Sequence, residues 1–115
     1  MNELELRCLK FAREVRDYCR KVKQDTVNLV YIKQVVRSSS SIGANYIEAN
    51  ERLGAKDIVM KMKIARREAK ETEYWLELLN VDNDEITNSL KNEALQLRKI
   101  ISAMIKKLEL PAHTT

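Results

Sequence analysis

The sequence predicts an all-α protein, an antiparallel up-down-up-down four-helix bundle, and three observations predict it. Two Gly, one Pro and 5% aromatics stand against 33% charged residues in 115 positions, a composition short of the turn and strand formers that sheets need. Apolar residues recur three and four apart over four long stretches, the period of a helix that buries one face. Only short polar connections separate these stretches, so neighbouring helices must run antiparallel. At 13.4 kDa the chain has the size of one domain, with a folded surface of roughly 6,500 Å² by size scaling. Residues 1–110 read as the bundle, and 111–115 as a polar tail that Pro111 separates from it.

The first helix is expected over about residues 3–23. Asn2 is its N-cap, Glu5 the capping-box partner, and Leu4, Cys8, Phe11, Val15, Tyr18 and Val22 form its buried stripe. After a connection from Gln24 to Asn28, a second helix is expected over 29–53. Leu29, Ile32, Val36, Ser39, Gly43, Tyr46 and Asn50 lie on one strip, with Val35, Ile42, Ala49 and Leu53 beside it. The run from Ser38 to Ala44 is poor in helix formers, and a serine linker is the rival reading. The flanking heptads stay in phase across it, and small residues admit a close neighbouring helix.

Gly54 is expected to end the second helix, and a third covers about 56–80. Its stripe is Ile58, Met62, Ala65, Ala69, Thr72, Leu76 and Leu79. A second stripe, Met60, Ile64, Trp75 and Leu78, continues through Arg67 and Glu71. Residues 81–84 turn the chain into a fourth helix over about 85–108, with Ile86, Leu90, Ala94, Leu97, Ile101, Met104 and Leu108 facing inward.

No apolar run reaches the roughly 18–20 residues that cross a bilayer, and no signal-like stretch follows Met1, which points to a cytoplasmic protein without a membrane partner. Cys8 and Cys19 lie about 16 Å apart along one helix, beyond disulfide reach, and read as reduced core residues. The single histidine, His113, falls in the tail. With it alone, no metal site, cofactor site or nucleophile–base set assembles, and no glycine-rich phosphate loop is present. The carboxylate pairs Glu48/Glu51 and Glu68/Glu71 read as salt-bridge or solvated positions, Glu48 with Arg52 at i,i+4. The sequence therefore predicts no catalytic residue, no metal ligand, no cofactor and no small-molecule substrate.

Residues 36–50 contain Arg37, Ser38, Ser41, Ile42, Ala44, Asn45 and Glu48 in the order R-S-x-x-S-I-x-A-N-x-x-E, followed by Ala49. This block resembles the signature of bacterial four-helix bundle proteins encoded in intervening sequences of large-subunit ribosomal RNA genes. The stretches 56–65 and 73–79 are similar to that family's second block, and the likeness covers nearly the whole chain. Ala49-Asn50 departs from the Glu-Gly of many relatives. The resemblance implies a homopentamer whose molecular role is undefined. A more distant likeness is to the accessory variability protein of diversity-generating retroelements, a basic pentamer that binds RNA and a reverse transcriptase.

Net charge is +4, and residues 1–24 carry +3 of it. Two basic stripes are candidates for phosphate contacts: Arg13, Arg16, Arg20 and Lys23 on the first helix, and Lys56, Lys63, Arg66, Arg67 and Lys70 on the third. The competing reading is a solvated face balanced by Glu14, Asp17, Glu73 and Glu77. Met60, Ile64, Arg67, Glu71, Trp75 and Leu78 are the candidate oligomer interface, with Trp75 as anchor; alternatively Trp75 and Ile64 fold over the bundle's own edge. The expected function is an interaction module that binds itself, with RNA or a nucleic-acid-processing protein as further partner. The alternative is a protein–protein scaffold that binds no nucleic acid.

Overall fold

A computed structural model describes residues 1–51 and 54–110. Four helices follow in order: α1 Glu3–Lys21, α2 Thr26–Ala49, α3 Ala55–Leu79 and α4 Glu85–Leu108. α2 packs on α1 and α3, and α3 on α4, while α1 touches α4 more sparsely. Thus α1 and α3 lie diagonally across an antiparallel bundle measuring 55 × 23 × 22 Å. Its accessible surface is 7630 Å², larger than compact scaling gives because a rod has more surface per volume.

Caps decide where the helices begin. Asn2 and Glu5 form the expected capping box, each side chain 2.8 Å from the other's backbone N–H. α1 stops at Lys21, and α2 starts at Thr26 rather than Leu29, because Asp25 Oδ1 accepts from the Asn28 N–H at 2.7 Å. α2 ends at Ala49, short of 53, and both the expected strip member Leu53 and Arg52, the expected i,i+4 partner of Glu48, lie outside the described residues. Gly54 does not close α2. Its φ of −63° and ψ of 155° make it the extended N-cap of α3, where the left-handed C-terminal role would need positive φ. Among the described residues the one with positive φ is Asn83, at 51°, in the α3–α4 turn. His113 and the 111–115 tail also lie outside the described residues.

The core runs along the rod: Cys8, Phe11, Val15 and Cys19 meet Val35, Ile42, Tyr46 and Ala49, then Met62 through Leu79, then Leu90 through Ile105. Five expected inward positions are on the surface instead. Leu29 and Val36 are each 40% exposed, because the buried line of α2 runs through Val35, Ser38, Ile42 and Ala49. Ile86 is 63% exposed and Thr87 is fully buried in its place. Two four-residue steps carry Ile86 about 80° off the line through Ala94. Thr87 also bonds Asp84 and lies 2.9 Å from the Tyr18 hydroxyl. Leu108, in the last turn, is 49% exposed while Ile105 is buried. Asn50 likewise caps α2 at the surface rather than lining its strip.

The serine run is helical. Ser40 and Ser41 donate to carbonyls one turn back, Val36 O and Arg37 O, both at 2.7 Å, so the hydroxyls are satisfied inside the helix rather than drawing its backbone into a turn. Ser38 is buried with its Oγ 2.8 Å from Thr72 Oγ1. Cys8 and Cys19 are free and buried.

Candidate nucleic-acid interface

α3 and α4 are neighbours, and their outer edges form a groove of about 390 Å³. Lys63, Arg66, Arg67 and Lys70 come from α3, and Arg98 and Ser102 from α4. Spacings of three, four and seven put the α3 cations on one face, and no carboxylate lines the groove. Flanking acids reach three of the cations: Lys63 pairs with Glu109 at 3.2 Å, Arg67 with Glu71 at 3.8 Å and Arg98 with Glu73 at 2.6 Å. Glu73 raises the Arg98 pKa by hydrogen bonding to it. Arg66 and Lys70 have no ion pair among the described residues. Arg98 escaped the sequence reading; only the α3–α4 adjacency aims it at the Lys63–Lys70 face.

The α1 stripe does not join this groove. Arg13, Arg16, Arg20 and Lys23 are exposed, but α1 is diagonal to α3. Asp17 lies 3.0 Å from Arg16 and 4.0 Å from Arg20, and the Arg16 hydrogen bond lowers the Asp17 pKa. Lys56, also exposed, stands in the first turn of α3, outside the groove.

The motif block joins α2 to α3. Arg37 Nη1 reaches the buried Glu68 carboxylate at 3.0 Å, and its Nη2 reaches Glu71 at 3.8 Å. Glu48 pairs with Lys61 of α3. Ile42 and Ser38 are buried, and Asn45 donates to the Ser41 carbonyl at 2.8 Å. Arg37, Ser41, Ala44 and Glu48 follow at four, three and four along the α2 edge facing that seam, with Ala44 exposed.

Beside it, Met60 is 57% and Tyr74 61% exposed, and Ile64 and Leu78 are half-buried. Trp75 packs against the chain's own core, its ring centroid 6.3 Å from Tyr31 and 5.4 Å from Tyr74. Its indole N–H is buried without an acceptor among the described residues. Arg67 and Glu71 form their i,i+4 pair within one chain.

The sequence profile of the 23S rRNA-intervening sequence protein family matches residues 3–107. The chain belongs to the 23S rRNA-intervening sequence protein family. A crystal structure from Bacteroides thetaiotaomicron VPI-5482, of a protein with unknown function from the S23 ribosomal protein family, is similar to this bundle. Its identity is 33% and its TM-score 0.79, over 90% of this chain and 98% of that one. No curated protein matches the chain significantly. The family's tie to ribosomal RNA is in its name, and neither comparison points to a catalytic family. Among the described residues no group of His, Cys, Asp and Glu is arranged to hold a metal, and no helix is long and apolar enough to cross a membrane.

Proposed function

We propose that this intervening-sequence protein is a non-enzymatic, self-associating bundle that acts as an interaction module and holds RNA by its phosphate backbone. The observation that carries the reading is the convergence of five cations from α3 and α4 on one groove lined by no carboxylate. Arg66 and Lys70 are the first phosphate ligands, and the three paired cations exchange carboxylates for phosphates. The groove has no aromatic lining, so bases are not stacked and sequence is not read.

The test is electrophoretic retardation of ribosomal RNA fragments across a salt series. With about two to four phosphates neutralised, affinity falls roughly one to two orders of magnitude between about 50 and 200 mM salt. Arg66→Glu with Lys70→Glu abolishes the shift. Salt-insensitive retention, or an undiminished shift by that double variant, overturns the reading.

A second reading, a protein–protein scaffold without RNA, is favoured by one observation: three of the five cations already hold acidic partners. It predicts no retardation at low salt. Self-association is supported by Met60 and Tyr74 standing exposed beside the half-buried Ile64 and Leu78 on one seam, surface that an isolated bundle leaves wet. The family likeness is what suggests five subunits.

A further inference from the structure

The sparse α1–α4 contact opens, at one end of the rod, into a groove of about 1080 Å³. Its floor is apolar, made of half-buried Tyr18 and Val22 with the nearly buried Leu79 and Leu90. Ile86, 63% exposed, and Val81, 82% exposed, stand at its edge with little to cover them. The lining carries six carboxylates against two lysines in a chain of net charge +4. Asp25 and Asp84 cap helices and Asp17 holds Arg16. Glu14, Asp82 and Glu85 have no ion pair among the described residues, so their charge is available to a partner.

The walls fix the shape of that partner. On α1 the lining positions Glu14, Asp17, Tyr18 and Lys21 stand at helical spacing, a track of about 10 Å or two turns. The long walls are α1 and α4, closed at one end by the turns that carry Lys23, Asp25, Val81 and Asp82, and no strand stands among the lining residues for an extended peptide to pair with. A helix laid along the track, with apolar side chains down and basic ones outward, satisfies both floor and rim. Phosphates are repelled by the same rim.

We infer that this groove docks a basic amphipathic helix of a partner protein, apolar residues against Val22, Ile86 and Leu90, and lysines or arginines toward Glu14, Asp82 and Glu85. The inference is independent of RNA binding, since this groove and the Lys63–Lys70 groove share no lining residue.

The probe is a fluorescent peptide of roughly 14 residues, about four turns, with leucine at i, i+3, i+4 and i+7 and lysine elsewhere. A matched peptide carries glutamate for every lysine. Anisotropy titrations with the full chain at about 0.1 M salt are expected to show binding of the lysine peptide and none of the glutamate one. Glu14→Lys with Glu85→Lys, and separately Ile86→Ser, weaken binding about tenfold or more, while Glu3→Lys with Glu51→Lys, an equal charge change elsewhere, leaves it intact. No binding of the lysine peptide, equal binding of both peptides, or equal loss in the control pair overturns the inference. So does an Ile86→Ser protein whose sedimentation shows a lost assembly, which assigns the groove to a second copy. Circular dichroism checks that each variant folds, and the charge reversal in the peptide decides even if one does not.

Discussion

A Cβ placed on Gly43 would meet the Cβ of Cys8 at 3.0 Å, so α1 and α2 approach closely because this residue has no side chain. Gly43→Leu should destabilise the bundle by about 1–3 kcal/mol through overpacking, measurable as a lower urea midpoint. Cys8 and Cys19 carry a different signature: burial pushes both thiols up to about 11 from an ordinary value near 9. A raised thiol pKa leaves stability intact below about pH 9 and removes it as pH climbs toward 11, because the unfolded thiol ionises first. Denaturation midpoints should therefore fall across that window, and a Cys8→Ala, Cys19→Ala protein should lose part of the slope. Arg37 supplies the nearest cation to the buried Glu68. Arg37→Ala should cost about 1–3 kcal/mol, the worth of a hydrogen bond to a charged group, discounted because the guanidinium is half exposed. Sequence spacing made Gly43 legible as a close-approach residue. It left the partner of Glu68 unread, because residues 31 apart in the chain meet only after α2 folds against α3.

Each helix owes its length to periodicity and its ends to caps. Asp25, three residues before Asn28, carried a start signal that the polar look of Gln24–Asn28 concealed. Asp25→Ala should cost about 1 kcal/mol and lower the midpoint temperature at which the helical signal melts. The serine run was legible as helix only through its flanking heptads; it holds because Ser38 and Ser39 are packed in the interior, Ser38 against Thr72 of α3, while Ser40 and Ser41 satisfy their hydroxyls on carbonyls one turn back. Ile86 shows the converse. A stripe drawn in steps of four walks around the helix, and the Asp84 cap settles which neighbour turns inward.

For the molecule as a whole, the question is how the α2–α3 seam is covered. Trp75 belongs in part to its own bundle, so truncating it would confound stability with assembly. Met60→Lys with Ile64→Glu leaves the buried core untouched. Sedimentation should then fall from a multiple of 13.4 kDa to the single chain, with unchanged circular dichroism. A 13.4 kDa wild-type particle at micromolar concentration would end the self-association reading.

Helix number, helix type and most of the core were decided by residue spacing alone, since a 3.6-residue period is local chemistry that each stretch carries with it. Adjacency was decided by tertiary structure. Packing α4 beside α3 brought Arg98 to Lys63–Lys70, and setting α1 diagonal to α3 kept the Arg13–Lys23 stripe away. Drawing Trp75 onto Tyr31 and parting α1 from α4 over an acidic groove followed from the same packing. Those outcomes depend on which faces bury together, a free-energy choice among whole arrangements of four helices that no single stretch of sequence contains.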